Sequence, residues 1–354
     1  MKNQDSRPIK VLIIDDSGLV RVALSRILQQ DDQVEVVGKA RDGRQGLAMA
    51  EELEPDIITL DVNMPGMDGL EVLDKLKERG ITAKVIMVSS LTTEGAKATF
   101  EALAKGAVDF IPKSFGDSGS TITKMQQALG DRIKSLARKY SPRHEEPEKK
   151  EVIPSPSAIA SRRDLSLVTI GTSTGGPAAL QLLLSSFDKS FPVGGLIVQH
   201  MPKEFIGPFA ERLNELSSVS IQVAEQGQPI RPGEFLIAPG NFHMKLKKNA
   251  GGVPSINLDP DPSDTLHRPS VDQMFLSVAE NLPGKALGVV LTGMGYDGLI
   301  GAKAMKRTNS PIFAQEEKSC VVYGMPRAIV EGHLADRVFP LSSMAKKITD
   351  MFVS

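Results

Sequence analysis

Ser173 stands in the run Gly171-Thr172-Ser173-Thr174-Gly175-Gly176, a Gly-x-Ser-x-Gly turn. An apolar, β-branched stretch, Leu167 to Ile170, leads into it, and Pro177-Ala178-Ala179-Leu180-Gln181-Leu182 follows. This order predicts a strand, a tight turn and a helix with proline in its first turn. A turn this tight is expected to hold the serine in a strained conformation, with its hydroxyl exposed at the C-terminal edge of a sheet. Free N–H groups at the helix start would lie behind it, suited to stabilising an oxyanion. Taken alone, the same turn also suits a loop that binds an anion or merely reverses the chain.

A nucleophilic serine needs a base, and the base needs an orienting group. The chain offers five histidines. His144 falls in a proline- and charge-rich stretch, and His243, His267 and His333 sit in polar loop or turn contexts. Only His200 directly ends a buried strand pattern, Gly195-Leu196-Ile197-Val198-Gln199. Asp297 follows another, Leu287 to Leu291, within Thr292-Gly293-Met294-Gly295-Tyr296-Asp297-Gly298. Spacing permits a triad of Ser173, His200 and Asp297 without requiring it. The order Ser, His, Asp is not that of the α/β-hydrolases. The stretch Gly293 to Gly298 also matches a dinucleotide fingerprint, with Glu316 and Glu317 downstream. An acidic side chain inside that fingerprint would face the pyrophosphate, which counts against a nucleotide.

A second constellation lies earlier. Asp15-Asp16 end one apolar run, Asp61 ends another, Ser89-Ser90 end a third, and a fourth runs into Lys113. In a parallel sheet these positions share the C-terminal edge, where ligands bind in such folds. Three carboxylates there would repel one another unless a cation intervened, and a hard, oxygen-liganded ion such as Mg²⁺ fits. One carboxylate could then attack a phosphoryl group, with the lysine and a hydroxyl neutralising the transferred oxygens. Helix capping explains each Asp or Ser singly. It does not explain all the strand ends together.

The elements that must position these residues are legible in outline. Over 9–139, five apolar runs (9–14, 34–37, 57–60, 85–88 and 108–111) alternate with helical patterns, and a helix is expected over about 122–137. This alternation implies a five-stranded parallel sheet covered on both faces. Residues 140–164 carry four prolines and a mixed-charge run, and read as an extended linker. From 165 the strand–turn–helix grammar resumes, predicting a second doubly wound α/β domain, with an added, exposed hairpin over 244–258. The expected division is 1–139, 140–164 and 165–354.

Composition bounds the rest. A net charge of −1 on 354 residues offers no field for nucleic acid or an anionic membrane. Cys320, the single cysteine, excludes an intrachain disulfide framework and a multi-cysteine metal site. There is no apolar run of transmembrane length and no signal-peptide core, so a cytoplasmic protein without membrane insertion is expected. Absence of Trp argues weakly against stacked-base recognition.

The first lobe resembles the receiver domain of two-component response regulators, a flavodoxin-like fold. The resemblance implies Asp61 as phosphoacceptor, with Asp15, Asp16, Asp61 and the main-chain carbonyl of Asn63 holding Mg²⁺. It further implies Ser89 and Lys113 as contacts of the phosphoryl oxygens, Phe110 as the aromatic switch position, and a sensor histidine kinase as phosphodonor. Ser114 stands where receivers usually carry proline. The second lobe resembles the catalytic domain of the chemotaxis protein-glutamate methylesterases. The matching segments are Ile170–Gly176, Val198–Pro202, Ile237–Gly240, His267–Asp272, Leu291–Gly298 and Cys320–Arg327. This resemblance implies Ser173 as nucleophile, His200 as base and Asp297 as orienter. Thr174 would stand beside the nucleophile, and the main-chain N–H near Met294 would serve the oxyanion. It implies cofactor-free hydrolysis of γ-glutamyl methyl esters, and deamidation of glutamines, on methyl-accepting chemoreceptors, by a protein expected to be monomeric. A DNA-binding output is a competing class, but the second lobe lacks a basic recognition helix. A non-enzymatic scaffold is a third class, opposed by the intact Ser, His and Asp.

Overall fold

The computed structural model describes residues 7–113, 129–137, 164–248 and 251–352. The chain divides into two compact units, Met1–Pro142 and Arg143–Ser354. The expected linker lies almost wholly outside the described residues, as do Ser114 and the first half of the helix expected over 122–137.

In the first unit, β1 (Ile9–Ile14), β2 (Val34–Ala40), β3 (Ile57–Asp61), β4 (Lys84–Ser89) and β5 (Asp109–Pro112) form a parallel sheet in the order β2-β1-β3-β4-β5. Val11 to Ile14 and Ile57 to Leu60 are buried throughout, as continuous apolar runs demand of a sheet covered on both faces. Helices α1 (Gly18–Leu28), α2 (Gly43–Leu53), α3 (Gly69–Glu78) and α4 (Thr93–Lys105) alternate with the strands. Their N-caps are Ser17, Asp42, Asp68 and Thr92, and Asp68 with Glu71 closes a full capping box. None of the strand-end residues Asp15, Asp16, Asp61 and Ser89 is one of these caps, so capping does not account for them. Residues 129–137 are helical.

The second unit is built on a seven-stranded parallel sheet. Its strands are β6 (Leu167–Thr172), β7 (Gly194–Gln199), β8 (Ser220–Val223), β9 (Glu234–Ile237), β12 (Ala286–Val290), β13 (Ile312–Gln315) and β14 (Arg337–Phe339). The order is β14-β13-β12-β6-β7-β9-β8. The chain steps outward from β6 through β7, then returns to place β12 on the other side of β6. The crevice at that reversal is where doubly wound sheets bind ligands. The helices that bear on the site are α5 (Gly176–Leu184), α6 (Lys203–Leu216), α7 (Val271–Asn281), α8 (Leu299–Arg307) and α9 (Met325–Glu331), with α10 (Leu341–Phe352) ending the described chain. The hairpin forms from β10 (His243–Lys248) and β11 (Pro254–Asp259) in antiparallel register. It is not simply exposed. Met244, Leu246 and Ile256 are buried in the core with Met274, Phe275 and Val278 of α7, while Lys247 and Lys248 face out. Leu246 donates its N–H to Ser277 Oγ at 2.8 Å, which fixes the strand to the helix.

Candidate functional site

Two sites sit at C-terminal sheet edges, one in each unit. In the first, Asp15, Asp16 and Asp61 converge so that one oxygen from each lies within 4.8 Å of the others. Lys113, beyond the end of β5, places Nζ 2.6 Å from Asp61 Oδ2 and 3.0 Å from Asp15 Oδ2. Asp15 also accepts from Ser17 N–H, and Asn63 N–H points to Asp61 Oδ1 at 3.3 Å. Burial pushes the Asp61 carboxyl up to about 6 against the pull of Lys113, and neighbouring Asp15 adds to the rise. Asp15 is also raised, chiefly by burial. Two buried carboxylates sharing one ammonium, with a third carboxylate beside them, are short of positive charge. Hard oxygen donors at this spacing suit Mg²⁺. Ser89 is fully buried and donates its hydroxyl to Gly95 O at 3.0 Å, while its carbonyl accepts from Lys113 N–H at 2.6 Å. Phe110 is buried edge-on to Phe100, with ring centroids 6.2 Å apart.

In the second unit, β6, β7 and β12 deliver Ser173, His200 and Asp297 to one edge. The turn after β6 is held on three sides. Ser173 N–H donates to Thr292 O at 3.1 Å, and Ser173 O accepts from Gly176 N–H and from Gln199 Nε2 at 2.8 and 2.9 Å. Thr292 Oγ1 donates to the carbonyl of the buried Thr174 at 3.0 Å. The backbone strain expected at Ser173 is absent. The left-handed residue is Gly175, with φ of 77°, and Ser173 is not among the positive-φ residues. The turn therefore places its unusual dihedral where no Cβ opposes it. A Cβ on Gly175 would come within 2.5 Å of Val321 Cβ. Nor is Ser173 openly exposed: it is 9 % accessible. The β12 loop lies against it, so closely that a Cβ on Gly293 would stand 2.9 Å from Ser173 Cβ.

His200 Nε2 meets Asp297 Oδ2 at 2.8 Å, both side chains being largely buried. His200 Nδ1 is buried with no hydrogen-bond partner among the described residues. Asp297 also accepts from Ser270 Oγ at 2.9 Å and from the N–H groups of Val271 and Asp272 at 2.7 and 2.9 Å. Burial alone would raise this carboxyl. The bond and charge of His200, with the N–H groups at the start of α7, instead hold it far below the usual carboxylate range. Among the described residues no hydrogen bond engages the main-chain N–H of Met294, which follows Gly293 in the β12 loop.

Two histidines read as loop residues take part in this site. His243 begins β10, is wholly buried, and accepts from Ser270 N–H on Nδ1 at 3.2 Å while Nε2 lies 3.0 Å from Pro262 O. His267 stacks on the His200 ring, centroids 3.9 Å apart and 21° from parallel. Local sequence carries no signal for either, since both contacts depend on how the hairpin and the loop after it fold onto α7. The dinucleotide fingerprint is spent otherwise: Asp297 is bonded into the start of α7, and Gly298 is the N-cap of α8.

Comparison with known proteins agrees with both halves of this description. Residues 11–125 match the model of the response regulator receiver domain, and residues 168–348 match that of the CheB methylesterase. A protein-glutamate methylesterase/protein-glutamine glutaminase of Lawsonia intracellularis is 41% identical over 96% of this chain and 98% of its own. A like-named protein of Oleidesulfovibrio alaskensis is 40% identical over the same shares. The crystal structure of the Thermotoga maritima CheB methylesterase catalytic domain is 37% identical, covers 53% of this chain and 98% of its own, and superposes with a TM-score of 0.51. With matches spanning nearly the whole length, and with a receiver fold and a seven-stranded α/β fold in that order, the chain belongs to the CheB methylesterase family.

Proposed function

We propose that residues 165–354 form a serine hydrolase that demethylates γ-glutamyl methyl esters on chemoreceptors, switched by phosphorylation of a receiver in residues 1–139. The observation that carries this reading is the buried His200–Asp297 pair at the same sheet edge as Ser173. With Nε2 committed to Asp297, His200 offers Nδ1 as its one free lone pair. Ser173 Oγ attacks the ester carbonyl carbon, and Nδ1 takes the hydroxyl proton as the new C–O bond forms. The carbonyl electrons move onto oxygen, where the N–H of Met294 and the start of α5 stabilise them, with Thr174 supporting the turn. Collapse of this oxyanion breaks the bond to the methoxy group, which leaves as methanol with the proton from His200. Water then repeats the sequence on the acyl-enzyme and releases glutamate. A glutamine amide passes through the same kind of oxyanion and leaves ammonia, so deamidation belongs to the same site. No step calls for a metal or cofactor.

In the receiver, Asp61 is the phosphoacceptor, and the phosphodonor is a histidine kinase. Asp15, Asp16, Asp61 and the Asn63 carbonyl would hold Mg²⁺, which when bound offsets the charge of the incoming phosphoryl group. Lys113 and Ser89 meet its oxygens, and Phe110 responds to the change at Ser89. The protein acts as a monomer, without contact to nucleic acid. The test is methanol release from methylated receptor. The wild-type chain releases it and Ser173→Ala does not. Methanol release unchanged in Ser173→Ala refutes the nucleophile.

A further inference from the structure

Asp297 is not fixed by its own loop. Its oxygens are held by the start of α7, through Ser270 Oγ and the N–H groups of Val271 and Asp272. The start of α7 is held in turn by the start of α8. Asp272, the second residue of α7, accepts from Gly301 N–H, the third residue of α8, on Oδ1 at 2.7 Å. Helix α8 has Gly298 at its N-cap and therefore no capping side chain of its own. Each helix thus takes its capping carboxylate from beside the other: Asp297, which precedes α8, serves α7, and Asp272, within α7, serves α8. The two starts lie so close that a Cβ on Gly301 would be 2.4 Å from Phe275 Cβ and 2.9 Å from Asp272 O.

This reciprocity costs something that an ordinary cap does not. Asp272 is half-buried and faces the negative charge of Asp297. Burial first, and then Asp297, push its carboxyl up to about 6 despite the Gly301 N–H. A neutral Asn or Ser could cap α8 without placing a second carboxylate beside Asp297. What the carboxylate supplies beyond a neutral oxygen is a charge-assisted, and so stronger, bond to Gly301 N–H.

Resting on the triad reading above, we propose that Asp272 is a positioning residue of the esterase site. By tying the start of α8 to the start of α7, it sets the angle at which Asp297 presents Oδ2 to His200 Nε2. It touches neither substrate nor the reacting atoms. Its effect is on the tautomer and orientation of His200: with Asp297 in place, the ring proton stays on Nε2 and the lone pair on Nδ1.

The test uses the full-length chain labelled with ¹⁵N-histidine, together with methanol release from methylated receptor. In Asp272→Ala, kcat should fall about ten- to hundredfold with KM changed less than about twofold, the pattern of a misplaced catalytic group rather than lost binding. The His200 ¹⁵N shifts should move from the Nε2–H tautomer towards a mixture. Asp272→Asn, which keeps one oxygen for Gly301 N–H, should show both changes at reduced size. It is the informative variant if Asp272→Ala does not fold. A cap that merely stabilises the helix would lower the melting temperature and leave tautomer and kcat alone, and that result overturns the proposal. Ser173→Ala, run beside these variants, separates the two readings. If it is inactive while folded Asp272 variants keep full kcat and the wild-type tautomer, only the positioning role fails. If it is active, the triad reading fails.

Discussion

On the proposed mechanism Ser173, His200 and Asp297 act as a unit, so their losses should not multiply. Ser173→Ala should abolish methanol release, His200→Ala should come close to it, and the double variant should be no worse than Ser173→Ala. Multiplicative losses measured in the double variant would contradict a shared step. At the other site, the Asp61 carboxyl makes metal binding depend on pH. Its carboxyl is raised to about 6. Above that value it is ionised and free to hold Mg²⁺, and as pH falls through about 6 a proton competes. Mg²⁺ affinity, measured by calorimetry on the full chain, should therefore weaken between pH 8 and pH 5. Asp61→Asn should bind weakly at both. Equal affinity of the wild type at the two pH values would remove Asp61 from the metal site. Without metal, the raised value means the folded state binds this proton more tightly than the unfolded chain. The group's own contribution to stability therefore grows as pH falls from above 6 towards 4. The strand-end residues of both sites were legible because a polar residue closing a β-branched run has one place to go, the sheet edge. His243 and His267 were not legible. Their partners, Ser270 and His200, are 27 and 67 residues away, and only the hairpin's packing brings them close.

At the scale of elements, the start of α7 bears on both fold and chemistry. Ser270 caps it, accepting from Gln273 N–H at 3.4 Å and donating to Asp297 Oδ1 at 2.9 Å. Ser270→Ala should cost about 1 kcal/mol in denaturant unfolding as a lost cap. It should also lower kcat, because a buried carboxylate loses one donor. Stability lost with kcat unchanged would show that the remaining donors suffice. The turn before α5 makes a sharper case. Gly175→Ala meets a left-handed backbone, worth about 1–2 kcal/mol, and a contact of 2.5 Å with Val321 Cβ. Unfolding at lower denaturant, together with reduced methanol release, is the expected result, since the strain must move the Ser173 turn. The alternation in β10 was readable as a strand, but not its burial. Lys245 and Lys247 alternating with Met244 and Leu246 look like an exposed ribbon until α7 covers the apolar face. The short strands β8 and β14, four and three residues at the sheet edges, gave too little apolar periodicity to be seen.

At the scale of the whole chain, the two units repeat one plan: a parallel sheet with polar strand ends gathered where the strand order reverses. The repetition was legible because βα alternation persists through both units and stops between them. How one unit acts on the other was not, because no local pattern encodes it. The chemistry divides cleanly, however. The acidic cluster and Lys113 belong to the first unit, and Ser173, His200 and Asp297 to the second. On the proposed regulation, a phosphoryl group on Asp61 would influence ester hydrolysis by shifting an equilibrium between a more and a less active state of the chain. A coupling of about 1–3 kcal/mol would change the active fraction about five- to 150-fold while the less active state predominates. Methanol release by the full chain should rise within that range when a small-molecule phosphodonor and Mg²⁺ are added together. Asp61→Asn should keep its basal rate and lose the rise. The fragment from Leu165 onward retains all of the second sheet with Ser173, His200 and Asp297, so on this reading it should hydrolyse ester at a rate the phosphodonor does not alter. A fragment that still responds to phosphodonor would place the phosphate on the second unit and remove Asp61 from the control of the esterase.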